Sequence, residues 1–523
     1  MRKAAWLLII GSVLAIIAEF SGGTLPSISW AYDLSHETSY LHSKSGEGID
    51  ATKVAWFGHL ISVIGFVIAA YILTTVPKGR EMLPSTKTRL KRFKSNSRGY
   101  VSFFILAFLV LIAGMDQLVV GKRALMVKSD DGVHFPAFKR GIIKGEELGM
   151  TGDAASAEAN YRKLKAEGKH TVIMPLVPYD PTQDTVPVPS KKLSKQGGIL
   201  LGTDGEPMNG SVSTLYDGNA EQRHMIYEYR KGVLHGLTKG RNRRGEPVYE
   251  ARYAKGELEQ GSEEFSGEGM TKEEFLSSGD GELVKVLFHA SPPTAKHLLG
   301  TTPQGSDLIA YLYGGLQLNI KAALIYIPMI YLIGVSLGLL MGFFGGAFDL
   351  VVQRIIEIFS TIPFLFVVII FSSMLPADKR GLGMILAILI LFGWMGMTYL
   401  MRTAAMKEKA RDYVAAARVS GASTPRIIFS HILPNTMAIL VTLIPFSVSG
   451  IISALTSLDY LGFGLPSHYA TWGNLLKDGL ANFSKPWLVS SSFSALVITL
   501  ILVTFVGEAV RDAFDPKKFT TYK

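Results

Sequence analysis

The sequence predicts an all-α polytopic membrane protein with about eight spans and a mixed, strand-containing insertion outside the cytoplasm. The 523 residues are 48% hydrophobic and only 18% charged, which is apolar for so long a chain. Several apolar runs are long enough to cross a bilayer, and one long polar region separates two groups of them. Lysine and arginine concentrate between apolar runs, as they do in the cytoplasmic loops of membrane proteins.

Composition also excludes several classes of protein. The formal net charge is +10, but the basic residues lie beside predicted spans, so we expect no nucleic-acid partner. The chain contains no cysteine, which excludes disulfides, thiolate metal sites and cysteine nucleophiles. No metal-ligand spacing is present among its histidines either.

The N-terminal extension, residues 1–85, contains two apolar segments. The first, Ala4–Phe20, is either a cleaved secretory signal or an anchor. Ala15 and Ala18 make a poor cleavage site, which favours the anchor. The second segment, Val54–Val76, is long enough to span.

Residues 86–120 combine the strongest basic segment with the next predicted span. Between Lys78 and Gly99 eight basic residues stand against one acid, Glu81, which predicts a cytoplasmic location. Tyr100–Val120 then spans outward. This orientation puts the long polar region, residues 121–300, on the outer face of the membrane.

The outer region contains a repeat at about residues 200–265. Turn-like steps ending in glycine alternate with short runs in which polar and apolar residues alternate, and the glycines are Gly218, Gly232, Gly245 and Gly256. This pattern predicts a small antiparallel meander and is similar to MORN-like repeats. A stabilising insertion and a partner-binding module are both compatible with it.

The remaining residues, 301–523, are predicted to form the membrane core. The spans are about Leu318–Phe344, Val351–Leu375, Gly381–Met401, Thr436–Leu461 and Ser491–Val506. Glycines at intervals of four on the first span, Gly334, Gly338 and Gly342, indicate close helix packing. Pro363 predicts a kink in the second span.

Residues 411–434, the docking segment, are polar enough to lie outside the bilayer between two spans. Asp412 to Ser420 is an alanine-rich helix that Gly421 ends by taking a positive φ. Ser423 or Thr424 caps a second helix.

Proline sets the predicted bounds of that second helix. Pro425 stands at its first position, and the helix is expected to end before Pro434.

The first helix of the docking segment carries Ala415, Ala416 and Ala417. Small side chains let another protein approach the backbone closely, so we interpret the segment as a docking element. Basic residues around it place it in the cytoplasm. On local features alone, an ordinary amphipathic loop is an equal alternative.

Resemblance to a family favours docking. The Ala-Ala, Gly and Leu-Pro spacing of RDYVAAARVSGASTPRIIFSHILPN resembles the EAA loop of permease subunits of ABC importers, with Ala415 where many relatives have glutamate. LGTTPQGSD resembles the entry motif of dipeptide and oligopeptide permeases, with Thr302 and Ser306 in place of the usual charged residues. TSLDYLGFGLP, GEAVRDAFDP, RLKRFKSNSRGY and VIMPLVPYDP are similar to the microcin C/oligopeptide importer subgroup. Residues 297–516 as a whole resemble the C-type permease subunit.

This resemblance implies the type I ABC importer permease fold and transport of peptides or peptide-like compounds. It implies two cytoplasmic ATPase subunits, or one fused ATPase, a second permease subunit in a heterodimer, a periplasmic substrate-binding protein and membrane lipid as partners. The coupling residues that it implies are Asp412, Ala415, Ala416, Ala417, Gly421, His431, Leu433 and Pro434.

It also implies a bacterial inner membrane location, with residues 121–300 in the periplasm and residues 403–434 and the C-terminus in the cytoplasm. The chain is expected to be no enzyme and to bind no cofactor, since it lacks a phosphate-binding loop, a zinc-protease motif and a nucleophile elbow. ATP and magnesium would belong to the partner ATPases.

Other functions stay open. Nickel and other small-solute importers share the fold, so the substrate is undecided, and no substrate contact can be assigned from sequence. A membrane-anchored binding protein would make the outer repeats the functional centre. An intramembrane enzyme would need facing ionisable residues within the spans, whereas the charges here lie near span ends.

Overall fold

The computed structural model describes residues 2–20, 56–75, 84–129, 132–139, 143–150, 158–181, 190–202, 205–216, 219–242, 247–267, 271–286, 290–374, 381–466 and 469–515. The repeat glycines at positions 218 and 245 lie outside these ranges. The chain divides into two units, residues 1–183 with 309–523, and residues 184–308. Each unit is described by itself.

Helices dominate the first unit. They are α1 Arg2–Phe20, α2 Trp56–Thr75, α3 Pro84–Ser95, α4 Ser97–Gly114, α5 Tyr161–Glu167, α7 Leu308–Phe344, α8 Gly346–Thr361, α9 Phe364–Met374, α10 Leu382–Lys409, α11 Asp412–Val419, α12 Thr424–Leu461, α13 Trp472–Ala481 and α14 Pro486–Phe514. α6, Lys272–Ser277, belongs to the second unit.

Five helices of the described residues are long and apolar enough to cross a membrane, namely α4, α7, α10, α12 and α14. α8 and α9 would add a sixth span, although they are bent by 68° relative to each other. The predicted kink at Pro363 is therefore a break between two helices, because proline lacks an amide hydrogen and its ring displaces the preceding turn.

About eight spans were predicted, and the difference lies at the N-terminus. The structure describes the side chains of Ala5–Ile17 in α1 and of Ser62–Thr74 in α2, and both of these parts are apolar. The helices themselves are 19 and 20 residues long, close to the length that a span needs. The two helices pack on each other through small side chains, since a Cβ at Gly65 would lie 2.8 Å from Leu8 Cδ2 and 3.1 Å from Ser12 Oγ.

α7 starts ten residues earlier than predicted, at Leu308 instead of Leu318. Its first turns carry polar side chains that bind the end of α4. Tyr313 Oη donates to the carbonyl of Ile112 at 3.0 Å, and Gln317 Nε2 donates to that of Ala113 at 2.8 Å. The bond from Gln317 satisfies a carbonyl near the end of α4, and the Ile112 carbonyl, which also accepts from the Met115 N–H at 2.9 Å, gains a second donor. Polar residues thus extend α7 beyond its apolar run.

Gly334, Gly338 and Gly342 of α7 pack closely against another helix, as predicted, and the structure identifies that helix as α10. A Cβ at Gly334 would lie 2.7 Å from Met397 Cβ, and one at Gly342 would lie 2.5 Å from the carbonyl oxygen of Arg402. Real Cβ atoms do not approach so closely, so the two backbones touch where glycine removes the side chain.

Gly338→Ala is expected to lower the free energy of unfolding by about 1–3 kcal/mol. Its Cβ would lie 2.6 Å from both Met401 Cβ and the carbonyl oxygen of Thr398, so α7 and α10 would have to separate. Thermal unfolding in mild detergent measures the change. Gly450→Ala is the matched control, because nothing lies within 4 Å of a Cβ there. Equal melting temperatures for the two variants would contradict close packing at Gly338.

The sequence around Trp472, Asn474 and Trp487 predicts an outer loop after α12 whose aromatic side chains lie at the membrane interface, whereas the structure forms α13 there. The placement at the interface is wrong, because Trp472 is 3% exposed. Its Nε1 donates to the carbonyl of Leu312 at 2.9 Å, and a Cβ at Gly315 would lie 2.4 Å from Trp472 Cδ1. The indole therefore fills a notch that glycine opens on α7.

The first unit also contains a small region between α4 and α7. Three strands pair in the order β2–β1–β3, and they are β1 Met126–Ser129, β2 Gly132–His134 and β3 Thr171–Ile173. Arg123, 2% exposed, donates through Nε to Glu158 Oε1 at 2.6 Å and through Nη1 to the Lys139 carbonyl at 2.9 Å. Its charge is paired, as burial requires.

The second unit is mostly strands. They are β4 Ser190–Lys192, β5 Ser194–Gln196, β6 Ile199–Leu201, β7 Gly210–Tyr216, β8 Asn219–Arg230, β9 Val233–Leu234, β10 Gly236–Arg241, β11 Pro247–Ala254, β12 Glu257–Leu258, β13 Glu264–Phe265 and β14 Val284–Val286. The main sheet has the order β12–β11–β10–β8–β7–β14–β4. Successive antiparallel pairing of β7, β8, β10 and β11 is the predicted meander.

The Lys-Gly steps of the repeat form equivalent turns. Lys231 and Gly232 have φ of 52° and 75°, and Lys255 and Gly256 have φ of 51° and 91°. Two consecutive positive φ angles define the type I′ turn, whose twist matches that of the hairpin strands. These two repeat steps are therefore tight two-residue hairpin turns, between β8 and β9 and between β11 and β12.

His224 is buried in this unit, at 2% exposure. Its Nε2 lies 2.8 Å from the carbonyl oxygen of Phe275 and its Nδ1 lies 3.2 Å from Thr214 Oγ1. The ring packs between Tyr216 and Phe275, at centroid distances of 4.9 and 4.7 Å. Burial lowers the pKa of His224, while the Phe275 carbonyl and Asp280 act in the opposite direction.

The second unit is expected to lose stability as the pH falls below the ordinary histidine value of 6.5. The folded-state pKa of His224 lies below the unfolded one, so stability is complete above 6.5 and falls as protons bind the unfolded chain first. Hydrogen exchange of the full chain at neutral and mildly acidic pH, corrected for intrinsic rates, should show protection lost in β7 and β8. His224→Gln should remove this pH dependence, and its persistence in that variant would refute the assignment.

Candidate functional site

The docking segment begins directly after α10, where Glu408 joins the two helices. Arg411 has extended backbone, with φ −85° and ψ 151°, and precedes α11 as its N-cap. Glu408 accepts from Tyr413 Oη at 2.8 Å and lies 3.3 Å from Arg411 Nε. Burial and the bond to Glu408 raise the pKa of Tyr413, so this hydroxyl stays a donor. Asp412 occupies the first turn of α11, where a negative charge stabilises the helix.

Gly421 ends α11 as predicted, with φ of 77°. Its N–H donates to the Arg418 carbonyl at 2.9 Å, and the Ala422 N–H donates to the Ala417 carbonyl at 3.0 Å. These two bonds form the Schellman motif, which requires a left-handed residue between the helix and the departing chain.

Gly421→Val is expected to loosen the end of α11 at a cost of about 1–2 kcal/mol, because a left-handed backbone is strained for any residue with a branched Cβ. No atom lies within 4 Å of a Cβ at this position, so the effect would be conformational. Hydrogen exchange of α11 measures it. Gly421→Asn is the control, since asparagine tolerates this conformation. If both variants exchanged alike, strain would not be the cause.

The inner face of α11 is attached to the membrane core. Val414, 1% exposed, packs in one cluster with Ile427, Ile432 and Met401. Phe343, at the end of α7, lies between two cations in the same cluster. The Arg418 guanidinium is 5.2 Å from its ring centroid and the Lys409 ammonium is 5.7 Å away; both distances allow cation–π attraction. α11 is thereby connected to the ends of both α7 and α10.

The outer face of α11, here the docking face, consists of Asp412, Ala415, Ala416 and Val419. All four are exposed, and Val419 is 91% exposed. Their spacing of i, i+3, i+4 and i+7 puts them on one side of the helix. The face is small and apolar apart from one carboxylate.

The prediction that Ala417 shares this face is wrong. Ala417 is half-buried and packs against the core cluster. Each helical residue turns by about 100°, so three consecutive alanines cannot point one way. Val419 was not predicted from sequence, although its i+7 spacing from Asp412 could have indicated it.

The prediction that the second helix ends before Pro434 is also wrong. α12 continues through it, by way of a π-helical turn at Ile427–Ile432 in which the Leu433 N–H donates to the Ile428 carbonyl. This wider turn precedes Pro434, so the proline stands at the start of a new α-helical segment, Leu433–Leu461, where a missing N–H costs nothing. Ser423 is the N-cap and Pro425 is in the first turn.

The structure separates the last three predicted coupling residues from the docking face. Leu433 packs against the core cluster, His431 is half-buried and Pro434 is exposed. The His431 carbonyl accepts from Asn435 Nδ2 at 2.8 Å. These residues belong to the base of α12.

An ion pair that sequence reasoning missed joins α8 to α10. Arg402 donates through Nε and Nη2 to the two carboxylate oxygens of Asp349, each at 2.6 Å. With its amide oxygen turned toward Arg402, Gln353 accepts from Arg402 Nη2 at 2.7 Å and from Nε at 3.0 Å. Asp349 is 5% exposed. Such bidentate geometry compensates for burial and fixes the α7–α8 turn to the helix that leads into the docking segment.

Comparison with known proteins decides the family. Residues 334–520 match the family described as binding-protein-dependent transport system inner membrane component. Over 243 residues the chain is 33% identical to the oligopeptide transport system permease protein OppC of Bacillus subtilis, covering 46% of this chain and 79% of that protein. The chain belongs to this binding-protein-dependent transport family. Its apolar helices and this membership make it a multi-pass inner membrane protein, and they confirm the predicted fold class.

Two further members of the binding-protein-dependent transport family are more similar in sequence. The inner membrane ABC transporter permease protein YejE of Escherichia coli is 41% identical over 228 residues, covering 44% of this chain and 66% of that protein. The peptidoglycan transport system permease protein YejE of Agrobacterium fabrum is 40% identical over 220 residues, covering 42% and 57%. The chain thus spans less than two thirds of the length of these two relatives.

A solved structure is also similar over part of the chain. The MetNI methionine ABC transporter in inward-facing conformations shares 18% identity at a TM-score of 0.34, covering 39% of this chain and 96% of that one. A TM-score this low carries no argument. The family match includes the whole docking segment and Arg402, whereas residues 1–333 lie outside it.

Proposed function

We propose that this chain is the transmembrane permease subunit of an ATP-driven importer for peptides or peptide-like compounds, and that the docking segment couples it to a separate ATPase. The observation that carries the proposal is the two-sided construction of α11. Its outer face is small and exposed, while its inner face is attached to two long membrane helices.

The substrate class is supported by the relatives. Their names specify oligopeptide, dipeptide and peptidoglycan transport, and what these cargoes share is peptide structure. TSLDYLGFGLP and GEAVRDAFDP are similar to the microcin C/oligopeptide importer subgroup, which extends the proposal to modified peptides.

The coupling step follows from the contacts of α11. A partner seated on the docking face and moving with ATP binding would displace α11 as a rigid piece. The Schellman motif closes one end of the helix, and the hydrogen bond from Tyr413 to Glu408 ties the other end to α10. Arg418 and Val414 would pass this displacement to Phe343 and the core cluster. Arg402 would carry it onward to Asp349 and α8.

The partners proposed are a second permease subunit in a heterodimer, two ABC ATPase subunits or one fused ATPase, and a periplasmic substrate-binding protein. ATP and magnesium would be bound by the ATPase, and this chain would do no chemistry. In the proposed topology residues 121–300 face the periplasm, and residues 403–434 and the C-terminus face the cytoplasm, in agreement with the basic residues around α11.

Affinity purification of the tagged full chain in mild detergent, followed by mass spectrometry, tests the class of protein. We expect a second permease and one or two ATPases with phosphate-binding loops. Recovery of the chain alone, or with cell-wall proteins only, would overturn the proposal in favour of an anchored binding protein.

Substrate is tested on the reconstituted complex. Peptides of two to about ten residues should stimulate ATP hydrolysis in the presence of the binding protein. Stimulation by nickel salts and by no peptide would overturn the peptide assignment while leaving the permease assignment intact.

A further inference from the structure

α3 carries two sets of basic residues that face in different directions. Its sequence, PSTKTRLKRFKS, contains five lysines and arginines and no acid. Lys87, Lys91 and Lys94 are exposed, and their spacing of four and three residues aligns them along one side of the helix. We call these three residues the lysine stripe.

The other basic residues of α3 fix its orientation. The Arg89 guanidinium lies 4.6 Å from the ring centroid of Phe514 at the end of α14, and Arg92 Nη1 donates to the Asp515 carbonyl at 3.4 Å. Phe93 is half-buried and meets the Tyr100 ring edge-on at 6.1 Å. Because these contacts hold the opposite side of α3 against the protein, the exposed lysine stripe lies on the side turned away from them.

α3 also stands at the end of a membrane span. Only Asn96 separates it from α4, and the Asn96 side chain caps α4 by accepting from the Gly99 N–H at 3.1 Å. α4 is held against α14 at the same level, since a Cβ at Gly99 would lie 2.2 Å from Ala509 Cβ. This short connection puts Lys94 within one helical turn of the first residue of α4, so the stripe begins beside the end of the span.

The exposed apolar residues near the stripe suit the same boundary. Leu90, 41% exposed, lies beside the stripe, and Val101 and Phe104, 55% and 54% exposed, lie on the first turns of α4. An exposed leucine beside a basic stripe, next to exposed apolar side chains of the adjoining span, is compatible with the membrane interface. Lysine side chains are long enough to place their ammonium groups among lipid phosphates while their stems cover apolar surface.

From this charge complementarity and placement we propose that the lysine stripe binds the phosphates of anionic lipids in the leaflet beside α3. The site recruits phosphatidylglycerol-type headgroups to the junction of α3, α4 and α14. It goes beyond the proposed transport function and does not depend on which solute is carried. It rests on the placement of α4 in the membrane, on which the proposed transport function also depends.

The absence of cysteine from the chain makes a specific test possible. Leu90→Cys creates one labelling site for a fluorophore beside the stripe. The full chain is reconstituted into vesicles in which a quencher is attached either to phosphatidylglycerol or to phosphatidylcholine. We expect stronger quenching by the anionic lipid, with a local enrichment of at least about fivefold. The enrichment should decline with added salt.

Three comparisons decide the outcome. Replacing Lys87, Lys91 and Lys94 together with glutamine should remove the enrichment. Replacing the exposed residues Lys163, Lys165 and Lys169 of the region between α4 and α7 makes the same change in net charge and should leave it intact. A label at Val110→Cys, farther along α4, should report no preference.

Equal quenching by the two lipids at Leu90→Cys would overturn the proposal. Enrichment that survives loss of the stripe would also overturn it. Equal loss in both triple variants would mean that net charge alone attracts the lipid. Circular dichroism of each variant verifies that the chain remains folded. Neither fluorescence quenching nor circular dichroism requires transport, so failure of the lipid proposal is distinguishable from failure of the proposed function.

Discussion

Arg402→Met is expected to destabilise the protein by about 3–5 kcal/mol and to abolish transport. The substitution leaves the Asp349 carboxylate, which is 5% exposed, without the two hydrogen bonds that compensate for its burial. Removing one partner of a buried pair is costly because the other charge remains desolvated. Thermal unfolding in detergent and uptake by cells that produce the variant are the measurements.

Arg354→Met is the matched control. It removes an arginine from another ion pair of α8, with Glu357, but both of these side chains are substantially exposed. Exposed pairs contribute about 0–1 kcal/mol, so stability should change little. If both arginine variants unfolded at the same temperature, the burial of Asp349 would not control stability.

A double variant separates stability from coupling. Asp349→Leu combined with Arg402→Met replaces the pair with apolar side chains, a change that is often neutral or stabilising. We expect most of the lost stability to return. If α8 and α10 must be tied together for coupling, ATP hydrolysis by the complex will persist without uptake. Full uptake by the double variant would limit the pair to a structural role.

Val419→Asp is expected to weaken ATPase association by about 30-fold or more, which corresponds to a loss of about 2 kcal/mol at an interface hot spot. Val419 is 91% exposed at the end of α11, so the variant should fold and insert normally. A carboxylate there would have to be desolvated in the complex, and it would also lie at the unfavourable end of the helix dipole. Titration of the purified permease complex with ATPase measures the affinity.

Two controls accompany this variant. Val419→Ile keeps the apolar surface and should bind normally. Val133→Asp makes the same chemical change at a valine that is 50% exposed in the region between α4 and α7, and it should bind normally too. If Val419→Asp bound as tightly as the isoleucine variant, the docking face would not be the contact surface.

Features that depend on short stretches of chain could be predicted from sequence. The approximate positions of the spans from α4 onward follow from apolar length, and the break at Pro363 follows from the chemistry of proline. Gly421 was predicted because few residues other than glycine adopt the left-handed conformation. The hairpins of the second unit were predicted from alternation and glycine spacing.

Predictions failed where a turn or a face depended on neighbouring structure. Pro434 looked like a helix end, yet a π-helical turn over Ile427–Ile432 carries the chain through it, a choice that local propensity does not decide. Ala417 was predicted to lie on the exposed side of α11, but it packs against the core cluster. Trp472 was assigned to the membrane interface, but the notch at Gly315 buries it.

By itself the sequence determined the membrane class, the approximate spans, the docking segment and its glycine turn, because each is encoded within one or two helical lengths of chain. Only the tertiary structure decided which side of α11 is outward and which charges are paired. Arg402 and Asp349 are 53 residues apart, and Phe343 meets Arg418 through the packing of three helices. Contacts between distant residues depend on how the helices assemble, and periodicity within one helix does not specify its partners.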